Sequence, residues 1–150
     1  MNAQLGNTTA TEFYTPIHFV VAVDNVKYGA FSECTLPNLS VKTEDIREGG
    51  QNSYTHKLPV SVDVGTLTLK RGLTPNTMFY DWYKQVMMGN IKDATRQVTI
   101  MMFNGRSEVL ATWNLRDAYP IKWKGPSLNA QNSAIAIEEI ELVHHGFEMT

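Results

Sequence analysis

The sequence predicts a mainly β fold with one substantial α-helix. Two antiparallel sheets pack as a sandwich or small barrel, and the helix flanks one side or plugs one end. Three observations carry this. Apolar residues alternate with period two over several stretches. Clusters of turn-forming residues separate those stretches. Near the middle of the chain the period changes to spacings of three and four.

The first strand spans 17–23, where Ile17, Phe19, Val21 and Val23 alternate with His18, Val20 and Ala22. Both faces are fairly apolar, as in a strand covered on both sides. Asp24 and Asn25 tolerate positive φ and set a tight hairpin, with 26–31 returning as the partner. Residues 39–47 read as a third strand and 54–59 as a short fourth. A fifth lies in "VGTLTLKRG", with Leu67 and Leu69 on one face and Thr66, Thr68 and Lys70 on the other. Its threonines favour extended backbone through β-branching.

In "TPNTMFYDWYKQVMMGN" the pattern becomes helical. Thr74 is placed to cap and Pro75 to occupy the first turn. Met78, Phe79, Trp82, Tyr83 and Val86 form one apolar stripe, read as core. Gly89-Asn90 ends the helix through a left-handed residue.

A hairpin follows. Val98, Ile100 and Met102 alternate before Asn104-Gly105, and Val109, Ala111 and Trp113 alternate after it. Asn-Gly suits a type I′ turn. "RDAYPIKWKGPS" is extended and turn-rich, with Pro120 and Gly125-Pro126 excluding helix. In the last segment Ile135 and Ile137 share one parity, Ile140 and Leu142 the other. Such a slip across Glu138-Glu139 implies a β-bulge, or a strand whose two halves bury opposite faces.

At 150 residues, 43% of them hydrophobic and 19% charged, the chain has the size of one domain and needs no disulfide or metal to fold. Residues 1–12 read as a flexible lead-in and 13–150 as a single domain. The polar N-terminus is not a signal peptide, and the apolar runs are too short to span a membrane. Net charge is -2, and Lys and Arg form no sustained run. That argues against specific nucleic-acid binding. The single cysteine, Cys34, forms no intramolecular disulfide and reads as a packing residue of a protein made in a reducing cytosol.

The search for chemistry returns little. Gly49-Gly50 lacks the Lys-Ser/Thr and following helix of a phosphate loop. His144 and His145 are strand neighbours pointing to opposite faces, so they do not chelate one ion and read as surface or interface residues. Glu138, Glu139 and Glu141 read as intersubunit pairing or edge protection rather than acid/base catalysis. No catalytic motif, metal site or cofactor is implied. Such a chain reads as a building block or binding module, not an enzyme.

The segments "HFVVAVDNVKYGAFSEC", "IREGGQNSYTHKLP", "GTLTLKRGLT", "FYDWY", "WNLRDAYPIKWKGPSLNA" and "IAIEEIELVHHGF" occur in this order over 13–148. Together they resemble the tail tube family of contractile phages and the inner tube proteins of phage-derived contractile injection systems. The resemblance implies rings of six copies stacked into a rigid hollow tube inside a contractile sheath, each copy giving strands to a continuous lumenal β-barrel. Implied partners are other copies of the chain, the sheath, the baseplate or spike, a terminal cap, and a protein or DNA cargo. Stable membrane insertion is not implied. The "REGG…KLP" region resembles a loop reaching towards a neighbouring subunit or ring. Its expected contact residues are Arg47, Glu48, Gly49, Gly50, Tyr54 and Lys57, with Glu138 and Glu139 joining from the last strand. Gly49-Gly50 would supply permissive dihedrals to the bend. A type VI secretion ring protein shares the architecture. A small-molecule-binding barrel would need an enclosed pocket with convergent polar groups.

Overall fold

The computed structural model describes residues 17–28, 31–46, 49, 56–131 and 135–150. The expected lead-in 1–12 lies outside them. In chain order the elements are β1 His18–Val23, β2 Val26–Tyr28, β3 Phe31–Thr35, β4 Ser40–Ile46, β5 His56–Asp63, β6 Leu67–Gly72, α1 Met78–Met87, α2 Ile91–Ala94, β7 Arg96–Phe103, β8 Val109–Lys124, β9 Ile137–Val143 and β10 Gly146–Met149.

Strands run in the order β2-β1-β7-β8-β9-β6-β3, with β10 added beside β8. Every pairing among them is antiparallel. The long β8 belongs to two sheets. Up to Ala118 it pairs with β7 and β10; from Tyr119 it pairs with β9. At the change β8 carries one extra residue opposite Arg96 to Val98, and Asp117 has a φ of 52°. A bulge bends and twists a strand, which lets one strand turn the corner between sheets.

Pro120 sits inside β8, where the sequence predicts a turn-rich stretch. Here β8 is laddered to β9, and the register shifts between Pro120 and Lys122. A residue without an N–H is tolerated at such a bulge. The segment 109–124 is therefore one strand with a corner, not a strand followed by turns.

Period-two alternation produces the core. In β6 residues 67, 69 and 71 are buried while 68, 70 and 72 are half-buried. Leu67, Leu69, Ile140 and Leu142 of the second sheet meet Val21, Val23, Val98, Ile100 and Leu115 of the first in one cluster with Phe79 and Trp82 of α1. Each such side chain contributes about 1.5–3 kcal/mol by burial. The helix plugs one end: Phe79 lies 5.6 Å from the Phe31 ring, and the Trp82 indole N–H donates to the Ala94 carbonyl.

Local predictions divide. Asp24 and Asn25 have φ of 49° and 66°, as the hairpin requires. Gly89, at 84°, ends α1. The helix starts at Met78, later than Thr74 and Pro75 suggest, and Asn76 Oδ1 accepts the Met78 N–H at 2.8 Å. Thr74 Oγ1 accepts only the Asn76 N–H, at 3.3 Å, so it shapes the approach to the helix. The second hairpin is present but not as a type I′ turn. Asn104 Oδ1 accepts from the N–H groups of Arg106 and Glu108, and Ser107 takes the left-handed conformation at φ 61°. The asparagine serves as an acceptor that closes a longer turn.

The expected slip at Glu138-Glu139 is not a bulge in the β6–β9 ladder, which stays in register from Leu67↔Leu142 to Gly72↔Ile137. Inward positions are Glu138, Ile140 and Leu142, while Ile135 and Ile137 are exposed. A charged residue occupies a core position because a partner waits there. Arg71 Nε donates to Glu138 Oε1, and the Trp123 indole donates to Oε2 at 3.2 Å. Arg71 Nη2 donates to the Asn76 carbonyl at 2.8 Å, and its guanidinium lies 4.2 Å from the Phe79 ring centre. Both charges are satisfied, and the entry to α1 is tied to β6, β8 and β9.

Candidate subunit interface

The described residues of the "REGG…KLP" region belong to a two-stranded arm. β4 and β5 pair with each other and with no other described strand. Every residue of both is exposed. The arm is longer than the sequence predicts: β5 continues past Pro59 to Asp63. Its apolar side chains Val41, Ile46, Leu58, Val60 and Val62 find no core in their own chain. One extra residue, Val60, bulges from β5 between the Lys42↔Ser61 and Thr43↔Pro59 pairs.

The root of the arm depends on a glycine that sequence reasoning missed. Gly65 has φ +63°, and a Cβ there would lie 2.6 Å from the Asn38 carbonyl oxygen. The chain leaving the arm crosses the chain entering it with no room for a side chain. Asp63 Oδ1 accepts the Gly65 N–H at 3.0 Å and fixes the turn. "DVG" before an alternating run was the available signal.

The expected contact residues fall in different places. Arg47, Glu48, Gly50 and Tyr54 lie outside the described residues. Gly49 is at the exposed tip, where a Cβ would meet nothing within 4 Å and φ is not in the left-handed region. The steric need for glycine thus sits at Gly65, not at Gly49. Lys57 is exposed on β5, opposite Asp45. Glu139 is half-buried on the open face of the second sheet. Glu138 is sealed inside the chain with Arg71, so its charge is matched within one copy rather than between copies.

Around Glu139 the register builds an alternating charge row: Glu33, Lys70, Glu139 and Lys124 lie side by side on β3, β6, β9 and β8. Lys70 Nζ is 3.3 Å from Glu33. The next row places Glu141 between Thr68 and Lys122. The open face of the first sheet has instead Val20, Ala22, Thr99, Met101 and Thr112 near its centre. The two faces therefore suit different surroundings.

The two adjacent histidines divide as well. His145 is exposed, but His144 is buried, and its Nε2 donates to the Val64 carbonyl at 2.9 Å. That bond braces the exit of the arm against the end of β9. Among the described residues no group of three or more His, Cys, Asp or Glu side chains is placed to hold a metal. No helix among them is long and apolar enough to cross a membrane.

The family model of the T4-like virus tail tube protein gp19 matches residues 15–148. The chain belongs to the tail tube family. Among solved structures, this tail tube protein is similar to a chain of the PVC extracellular contractile injection system sheath-tube complex in its extended state, with 28% identity, 93% of each chain covered and a TM-score of 0.80. A chain of the six-fold symmetrised baseplate of the anti-feeding prophage shares the fold at 24% identity, with 91% of this chain and 93% of that chain covered and a TM-score of 0.74. Hcp1 from Flavobacterium johnsoniae shares it at 15% identity, with 87% and 93% covered and a TM-score of 0.61. No curated protein matches the chain by sequence.

Proposed function

We propose that copies of this chain close into six-membered rings that stack as the rigid inner tube of a contractile injection particle. The tube is a conduit and piercing shaft; it performs no catalysis of its own. The sheath around it supplies the free energy of penetration, and baseplate and cap proteins close its ends. The chain is made in the cytoplasm and assembled there into the particle. Cargo, a protein effector or DNA, passes along the lumen.

The observation that carries this reading is the fully exposed arm beside a body with its own buried core. A two-stranded ribbon is marginally stable in water, and exposed apolar strands invite pairing with other chains. A closed ring turns that hazard into an interface, because head-to-tail contacts close on themselves. The family match and the sheath-tube assembly of a similar chain support the same conclusion.

Light scattering and negative-stain electron microscopy of the chain expressed alone test it. Six-fold rings or tubes are expected. A chain that stays monomeric at high concentration, and after addition of a baseplate seed, would overturn it.

A further inference from the structure

The helix packs at one end of the sandwich, and a second feature lies away from it. There Phe19, Cys34, Leu36, Ile100, Met102 and Trp113 line a cleft of about 140 Å³. The lining carries no charged side chain. Burial pushes the Cys34 thiol up to about 11, so it stays neutral at physiological pH. Leu36 lies four residues before β4, so the cleft opens beside the root of the arm. The chain's own arm does not fill it, since every residue of β4 and β5 is exposed.

We propose that segment 58–62 of one copy's arm seats the bulged Val60 in this cleft on the next copy, with Leu58 and Val62 on the rim. The partner is a second copy of this chain, and the inference rests on the tube reading above. Four observations select that partner. A head-to-tail contact needs two different complementary patches on one chain, and among the described residues the arm offers an apolar ridge and this cleft an apolar recess. Segment 58–62, Leu-Pro-Val-Ser-Val, is uncharged, as the recess is. A bulge re-aims a side chain, and Val60 is 63% exposed at one. The cleft is also of a fitting size: an apolar cavity of about 150 Å³ accepts a group as large as benzene.

The seat is small. It is far below the roughly 800 Å² per partner that a stable interface buries. It therefore sets the register between copies within a larger tube interface and does not hold them alone.

The single native cysteine makes the test direct. Leu58→Cys, Val60→Cys and Val62→Cys variants are assembled and then oxidised with a copper catalyst. Val60→Cys is expected to give a ladder of covalent dimers, trimers and longer species on a non-reducing gel, lost when Cys34→Ala is added. Normal tubes with no ladder from any variant would overturn the docking and leave the tube reading intact. An intrachain disulfide would overturn it too. Failure of the unsubstituted chain to assemble would count against both. A second measurement needs no arm variant: assembly of the unsubstituted chain is expected to slow alkylation of Cys34 by about tenfold or more as access closes. Equal rates in monomer and tube would contradict the proposal.

Discussion

β6 buries Leu67 and Leu69 completely, while a few residues upstream β5 leaves Val62 67% exposed. Both strands follow the same alternating code. Body and arm differ in whether a second layer exists to receive the apolar face. In the body two sheets and a helix supply one another's cover, so burial stabilises the fold within one copy. In the arm no described residue of the same chain does, so the same residue types are unsatisfied until another surface arrives. An alternating pattern therefore specifies a strand without specifying which molecule completes it.

That contrast can be broken from either side. The largest effect is expected in the body. Trp82→Ala should cost about 3–5 kcal/mol through the cavity it leaves, read as a lowered midpoint in denaturant. Arg71→Met leaves the Glu138 carboxylate buried without its partner, and a loss of about 3–5 kcal/mol is expected. Rescue by Arg71→Met with Glu138→Leu would show that the pair matters through the charge left behind. Next comes the boundary between the two regions. Gly65→Ala places a methyl against the Asn38 backbone at positive φ, a strain on the order of 1–3 kcal/mol. Its larger consequence should be misdirected arms and short or absent tubes in electron micrographs. The smallest effect on stability is expected at the tip, where Gly49→Ala should change unfolding by no more than about 0.5 kcal/mol. Hydrogen exchange sharpens the comparison: β4 and β5 amides should exchange fast in isolated copies and slowly in tubes, whereas β6 and β9 amides are slow in both.

Much of this was legible beforehand, for identifiable reasons. The β1–β2 turn and the end of α1 rest on residues whose backbone preferences act locally, Asp24-Asn25 and Gly89. The core of β6 follows from the parity of Leu67 and Leu69. What escaped depends on distant partners. Glu138 reads as a surface charge until Arg71, 67 residues away, is seen beside it. Pro120 reads as a turn until β8 is seen to change sheets there. Gly65 matters through Asn38, not through its neighbours, so nothing local sets it apart from the more conspicuous Gly49-Gly50. Of the proposed interface, the sequence marks a region and not its geometry: the arm is a strand pair extending to Asp63, and its apolar residues 58–62 carry more of the proposal than its charges.

The most direct test of the central claim is a Val60→Asp, Val62→Asp double variant, followed by denaturant unfolding and electron microscopy on the same preparation. If the body folds for itself and the arm serves assembly, the unfolding midpoint stays within about 1 kcal/mol of the parent and rings and tubes disappear. Normal tubes, or a body that unfolds with the arm, would contradict the account.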